Sequence, residues 1–175
     1  MKQYLFLSIF SIFLFIGCNS SKDQEEKKDK KDTYVVDNYT KKEVNIVMRD
    51  GTKLHTTIYS PKDTSKDYPI LMQRTPYSSA PYGEGMKTKI GPNIHLMKEG
   101  NIVVYQDVRG RWMSEGVYDN MRAYIPNKKE NQSDEVSDTY DTIDWLVKNV
   151  ENNNGNVGTW GISYPGHYAT ISAID

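Results

Sequence analysis

The stretch Asn156-Val157-Gly158-Thr159-Trp160-Gly161-Ile162-Ser163-Tyr164-Pro165-Gly166-His167-Tyr168-Ala169 constrains this chain more than any other. It reads as a short apolar strand, an abrupt turn at Ser163, and a helix of small and apolar residues. A serine on such a turn stands at the carboxyl edge of a sheet, with the amino end of the next helix directly behind it. Free backbone N–H groups and the positive end of the helix dipole collect there, which suits an oxyanion formed during acyl transfer. Gly161 lies two residues before Ser163, as the G-x-S-x-G pattern asks, but Pro165 stands two after it and Gly166 follows. Proline is tolerated in the first turn of a helix, where its missing N–H has no partner to lose, so the geometry survives. On spacing alone the segment is either the seat of a nucleophilic serine or an ordinary strand-to-helix connection.

The segments before it predict an α/β order. Val44, Ile46 and Met48 alternate, Asp50-Gly51 supplies a turn, and Leu54, Thr56 and Ile58 alternate again, which is an antiparallel entry hairpin. His55 falls on the face opposite Leu54 and reads as a surface residue of that strand. Tyr68 to Arg74 carries a continuous apolar run, the pattern of a strand covered on both faces. The loop Thr75-Pro76-Tyr77-Ser78-Ser79 leaves its carboxyl end, the edge where open α/β sheets bind ligands. Glycine and proline punctuate the chain as far as Pro92. A short helix then carries Ile94 and Met97 inward and stops at Gly100, with His95 in a structural place on it.

Ile102-Val103-Val104-Tyr105 predicts a second buried strand, running into a loop that Asp107 and Arg109 shape by ion pairing. Residues 119 to 133 are polar and irregular. Val136, Tyr140, Ile143, Val147 and Val150 recur at helical spacing, with acids at the amino end and Lys148 near the other, and Asn152 to Gly155 closes the helix. The expected class is therefore α/β, a doubly wound sheet entered by an antiparallel hairpin. No His/Cys/Asp/Glu spacing suggests a metal site, and no cofactor is expected.

Composition matters mainly at the amino terminus. Lys2 precedes the apolar run Tyr4 to Ile16, too short to span a bilayer and of signal-peptide length. Residues 1–17 are read as a signal peptide. Phe15-Ile16-Gly17-Cys18 resembles the lipobox of bacterial lipoproteins, in which the cysteine becomes the first residue and carries lipid. A plain secretory signal with an incidental cysteine is the alternative. Cys18 is the single cysteine among 175 residues, so no disulfide forms within the chain. Residues 18–42 are expected to be a flexible tether, because residues 19 to 33 hold no apolar side chain. The expected location is the bacterial cell envelope, lipid-anchored to a membrane. A formal charge of −1 gives no attraction to nucleic acid.

Taken together, the folded part, residues 43–175, resembles the family of cocaine esterases, α-amino acid ester hydrolases, cephalosporin acylases and Xaa-Pro dipeptidyl-peptidases. That family's elbow is G-x-S-Y-x-G, which Gly161-Ile162-Ser163-Tyr164-Pro165-Gly166 fits completely. Met48-Arg49-Asp50-Gly51-Thr52-Lys53-Leu54 is similar to its opening hairpin, and Arg74-Thr75-Pro76-Tyr77 to its oxyanion loop. Gln106-Asp107-Val108-Arg109-Gly110-Arg111-Trp112-Met113-Ser114-Glu115-Gly116 and Asp141-Thr142-Ile143-Asp144-Trp145-Leu146 resemble two further family stretches.

The resemblance implies the amino-terminal part of an α/β-hydrolase, truncated after the nucleophile elbow. It implies Ser163 as nucleophile, with the Tyr164 backbone N–H and the Tyr77 hydroxyl as the oxyanion hole. The implied reaction is acyl transfer to water, through an acyl-enzyme, on a small ester, an amide or a short peptide. The triad acid and histidine are expected after residue 175. His167, one helical turn past Ser163, is on the wrong side of the hydroxyl to replace that histidine. Two classes of function stay open on the sequence: a lipid-anchored serine hydrolase of which this is the amino-terminal part, inactive alone, or a membrane-tethered remnant without catalysis.

Overall fold

The computed structural model describes residues 32–174. The expected signal peptide, Cys18 and the expected tether as far as residue 31 lie outside the described residues. Order begins earlier than the boundary expected at residue 43. A short helix, α1 (Tyr34–Asn38), leads directly into β1 (Tyr39–Val47). Val35 and Tyr39 are buried, and the Tyr39 hydroxyl donates to the Met97 carbonyl at 2.6 Å. Residues 34–42 therefore belong to the fold rather than to a tether. No described helix is long and apolar enough to cross a membrane.

The chain continues through β2 (Lys53–Pro61), β3 (Tyr68–Thr75), α2 (Ile94–Glu99), β4 (Ile102–Asp107), α3 (Glu135–Asn149), β5 (Asn153–Thr159) and α4 (Tyr164–Ile171). The strands form one mixed sheet in the order β1-β2-β4-β3-β5. The hairpin enters antiparallel, with Val44 opposite Thr56 and Ile46 opposite Leu54, and β2 runs antiparallel to β4. Strand β3 is parallel to both β4 and β5. The carboxyl ends of these three strands consequently share one edge.

Two apolar layers cover the sheet. On one face Ile46, Leu54, Ile58, Ile70, Met72, Ile102 and Val104 pack with Leu146 of α3. On the other, Val35, Tyr39, Tyr59, Val103 and Tyr105 pack with Ile90 and with Met97 of α2. Helix α2 is started by Asn93, whose side chain accepts from the His95 and Leu96 N–H groups, and is ended by Gly100 at φ 85°. Its inward residue is Met97; Ile94 points outward at 41 % exposure, and His95 is also exposed. Covering both faces makes β2 buried on each side, so His55 is buried rather than on the surface. Strand β3 departs from expectation in the other sense. Ile70 and Met72 are buried while Leu71 between them is only half-buried.

Helix α3 keeps part of the face its apolar spacing predicts, with Val136 buried and Ile143 and Val150 packed against the core, but turns Tyr140 outward. The buried positions are Glu135, Val136, Ser137, Asp138, Thr139, Thr142 and Leu146, whereas Tyr140 is 60 % exposed. Most of that buried face is polar because it meets two arginines. Arg74, at the end of β3, ion-pairs with Glu135 at 3.1 Å and donates to Thr139 Oγ1 at 2.8 Å and Gln106 Oε1 at 2.8 Å. Arg109, just past β4, pairs with Asp138 at 2.7 Å and Asp50 at 2.8 Å. Arg122 adds a third guanidinium on Asp138 at 2.6 Å. Burial alone would raise the Asp50 carboxyl, but the bonds from Ser133 and Arg109 outweigh it and hold that group well below the usual carboxylate range. Asp134 caps the helix through a reciprocal box with Ser137. The helix ends at Asn149, and Asn153-Asn154-Gly155 opens β5 instead of closing α3.

The polar face makes a testable contrast. Asp138→Ala leaves Arg109 and Arg122 without their shared buried carboxylate, which is expected to cost about 3–5 kcal/mol. Tyr140→Ala, on the stripe that the spacing alone would bury, is expected to cost under about 1 kcal/mol. Urea unfolding of the two variants checks the ranking, and a reversed order would refute the assignment of the buried face.

Candidate active site

Strand β5 reaches the shared carboxyl edge and its pairing is prolonged by Trp160, whose N–H donates to the Met72 carbonyl at 3.0 Å. The chain then reverses at Ser163, which has φ 59° and ψ −125°. That combination is costly for a residue with a side chain, by about 1–3 kcal/mol, and is kept only where the surroundings impose it. Here Gly161 and the start of α4 impose it. A Cβ on Gly161 would lie 2.2 Å from the carbonyl carbon and oxygen of Pro165, so only glycine fits. A Cβ on Gly166 would meet the Gly161 oxygen at 3.3 Å, a tighter than usual contact but not an overlap.

Ser163 occupies the N-cap position of α4, yet its hydroxyl makes no capping hydrogen bond. Pro165 contributes to this, since the second helical residue has no N–H to offer. The Gly166 and His167 N–H groups bond instead to the Ser163 carbonyl, at 2.9 and 3.3 Å. Tyr164 supplies the first N–H of the helix, a group with no intrahelical partner. Ser163 itself is exposed at the edge.

Tyr77 arrives at the same edge from the end of β3. Its ring meets the Tyr164 ring edge-on, with centroids 6.3 Å apart and planes at 79°, and it is 61 % exposed. The Tyr164 side chain is fixed from another direction. Its hydroxyl accepts from Tyr118 at 2.9 Å and from the Met121 N–H at 2.8 Å, and donates to Asn120 Oδ1. The bond to Tyr164, together with burial, pushes the Tyr118 phenol up to about 12. Nothing in the sequence pattern singles out Tyr118 or Asn120, because they lie in the irregular segment after β4.

The three histidines do not converge on Ser163. His55 is on β2, where its Nε2 is 3.7 Å from Glu43, and His95 is on α2. His167 packs edge-on against Tyr164 and Tyr168, with centroids at 6.1 and 5.5 Å, and its Nε2 is buried without a hydrogen-bond partner among the described residues. Asp107 and Arg109 do not pair with each other. Arg109 turns to Asp50 and Asp138, while Asp107 accepts from the Ser79 N–H, the Tyr82 hydroxyl and the Met113 N–H. No group of three His, Cys, Asp or Glu among the described residues is arranged to hold a metal ion.

A doubly wound sheet with an antiparallel entry hairpin and a strand–elbow–helix at its carboxyl edge has the architecture of the α/β-hydrolase fold. The solved structure of an α-amino acid ester hydrolase superposes on 77 % of this chain with a TM-score of 0.68 and 40 % identity, using 23 % of its own length. An aminopeptidase from the marine sediment archaeon Thaumarchaeota archaeon matches 89 % of the chain with a TM-score of 0.68 and 36 % identity, over 26 % of its own length. The cocaine esterase of Rhodococcus sp. (strain MB1 Bresler) is 32 % identical over 123 residues, 70 % of this chain and 19 % of that enzyme. Residues 50–175 match the family described as X-Pro dipeptidyl-peptidase (S15 family). The chain belongs to this family of hydrolases, and it spans about a quarter or less of each of these three relatives.

The elbow's steric requirement can be measured. Gly161→Ala forces a methyl into the Pro165 carbonyl and is expected to cost at least about 1–3 kcal/mol, with loss of helix signal from α4. Gly166→Ala is expected to be the milder of the two. Thermal unfolding followed by circular dichroism checks this, and wild-type behaviour of Gly161→Ala would refute the turn described here.

Proposed function

We propose that this chain carries the nucleophile and the oxyanion hole of a serine hydrolase that cleaves an ester or amide through an acyl-enzyme. The observation that supports the reading most is the strained Ser163 turn, with an uncapped hydroxyl at the edge where the Tyr77 and Tyr164 rings meet. Ser163 attacks the substrate carbonyl, and the Tyr164 N–H and Tyr77 hydroxyl donate to the oxygen as it gains charge. The nucleophile needs a base to take its proton, and the described histidines supply none within reach of a defined hydrogen bond. The acid and histidine of the triad are therefore assigned to chain beyond residue 175, in keeping with the small share of each relative covered here. By analogy with those relatives, the substrate is a small ester, an amide or a short peptide.

Two arms test the assignment. The 175-residue chain alone is expected to hydrolyse an activated ester no faster than its Ser163→Ala variant; a clear serine-dependent rate would transfer the base role to His167. In the catalytically complete protein, Ser163→Ala is expected to abolish turnover. Tyr77→Phe is expected to lower kcat about 100- to 1,000-fold with KM little changed. Unchanged kcat in Tyr77→Phe would remove that residue from the oxyanion hole. Activity untouched by Ser163→Ala would leave the non-catalytic reading in its place.

We also propose that Cys18 carries the lipid that anchors the protein in the bacterial cell envelope, a reading supported by the apolar run and Gly17-Cys18. Cys18→Ser is expected to block processing or release the protein from the membrane fraction. An unmodified mature wild-type chain in the soluble fraction would refute the anchor.

A further inference from the structure

Asp107 closes β4 with no exposure to solvent. A carboxylate so placed is retained only if its oxygens are satisfied by donors. Its direct donors are neutral: the Ser79 N–H at 2.6 Å, the Tyr82 hydroxyl at 2.8 Å and the Met113 N–H at 3.3 Å. Two of the three come from the loop that bears Tyr77, and the third comes from the loop after β4. The same two loops meet again one residue before Tyr77. There the Pro76 carbonyl accepts from both Arg111 Nε and Trp112 Nε1, each at 3.0 Å.

Tyr77 is thus suspended between two ties, Pro76 on one side and Ser79 on the other. The span between them has only short-range bonds of its own, from the Tyr77 N–H to Thr75 Oγ1 and from the Ala80 N–H to Ser78 Oγ, each at 3.0 Å. Tyr77 is largely exposed, and Ser78 adopts φ 118°, a backbone conformation unfavourable for a residue with a side chain. A short relay steadies it, since the Ser78 hydroxyl bonds to the Tyr82 hydroxyl at 3.0 Å and Tyr82 in turn donates to Asp107. The strand register fixes the anchor point. Thr75 lies opposite Asp107, and the Val108 N–H donates to the Thr75 carbonyl at 3.1 Å.

We propose that Asp107 is a positioning residue for the oxyanion hole: its buried carboxylate holds the 76–82 loop, and with it the Tyr77 hydroxyl, at the edge where Ser163 stands. The catalytic half of this inference rests on the roles assigned above to Ser163 and Tyr77. Asp107 touches no reacting atom; it acts through the loop. Asparagine there keeps the shape but loses the charge, and turns one acceptor oxygen into a donor facing donors.

Hydrogen exchange and kinetics test it together. In the 175-residue chain, Asp107→Asn is expected to speed amide exchange across residues 76–82 about tenfold or more while leaving residues 156–169 unchanged. Tyr82→Phe, which removes a single donor, is expected to move the same amides less. In the catalytically complete protein, Asp107→Asn is expected to lower kcat about 10- to 100-fold, the scale of an ångström-level misplacement, with KM within about twofold. In a Tyr77→Phe background the same substitution is expected to cost less than about threefold, because the donor it positions is already gone. Wild-type exchange of the loop in both Asp107→Asn and Tyr82→Phe overturns the inference alone. An equal kcat loss with and without the Tyr77 hydroxyl overturns the positioning role. Absence of any Ser163-dependent turnover in the complete protein instead sinks the hydrolase reading and the catalytic half of this inference with it.

Discussion

Arg74 and Arg109 leave the ends of two neighbouring parallel strands and reach the same turn of one helix. Glu135 and Asp138 wait there, buried, beside the positive end of that helix. Ion pairs taken out of water gain little net stability, because desolvation offsets most of the attraction. What they do is penalise every other arrangement. If α3 rotated by a third of a turn, two guanidinium groups and two carboxylates would be buried without partners. The cluster therefore fixes the rotation of α3, and Asp50 ties it to the entry hairpin through Arg109. The helix then delivers the chain to β5, and β5 delivers it to the elbow.

The candidate site grows out of this frame by parallel register. Strands β3, β4 and β5 run the same way, so the Tyr77 loop, the Asp107–Met121 loop and the Ser163 turn emerge together. Two of the less common backbone conformations there have a local cause. Ser163 is forced by the clearance between Gly161 and Pro165. Ser78 is held by hydrogen bonds that end on Asp107. The turn at Ser163 keeps its hydroxyl out of the helix's own bonding, and the bonds of Ser78 and Tyr82 keep their loop from relaxing toward solvent.

Much of this arrangement was legible in the residues. Alternation in Val44 to Ile58 together with Asp50-Gly51 determined the hairpin, since a two-residue period leaves few registers that bury one face. Gly100 ends α2 for an equally local reason. Gly161 specified the turn at Ser163, because only a missing Cβ allows that close an approach. The position of the Thr75–Ser79 loop at the carboxyl edge followed from its place just past an apolar strand.

Tertiary structure decided the rest, wherever a polar residue's environment depends on a distant partner. Apolar spacing in α3 pointed to Tyr140, but two arginines from other elements made the polar stripe the inner one. His55 reads as a surface residue until the second layer of α1, α2 and the Tyr82 loop covers its face of the sheet. Asp107 and Arg109 are two apart and of opposite charge, yet they never meet. One is drawn to backbone N–H groups across the strand edge, the other to carboxylates on the hairpin and on α3. Period and turn chemistry are properties of neighbours in sequence, so the chain alone determined the strands, the helix stops and the elbow. The partner of a buried charge is set by which strands lie side by side, and that information exists only once the sheet has formed.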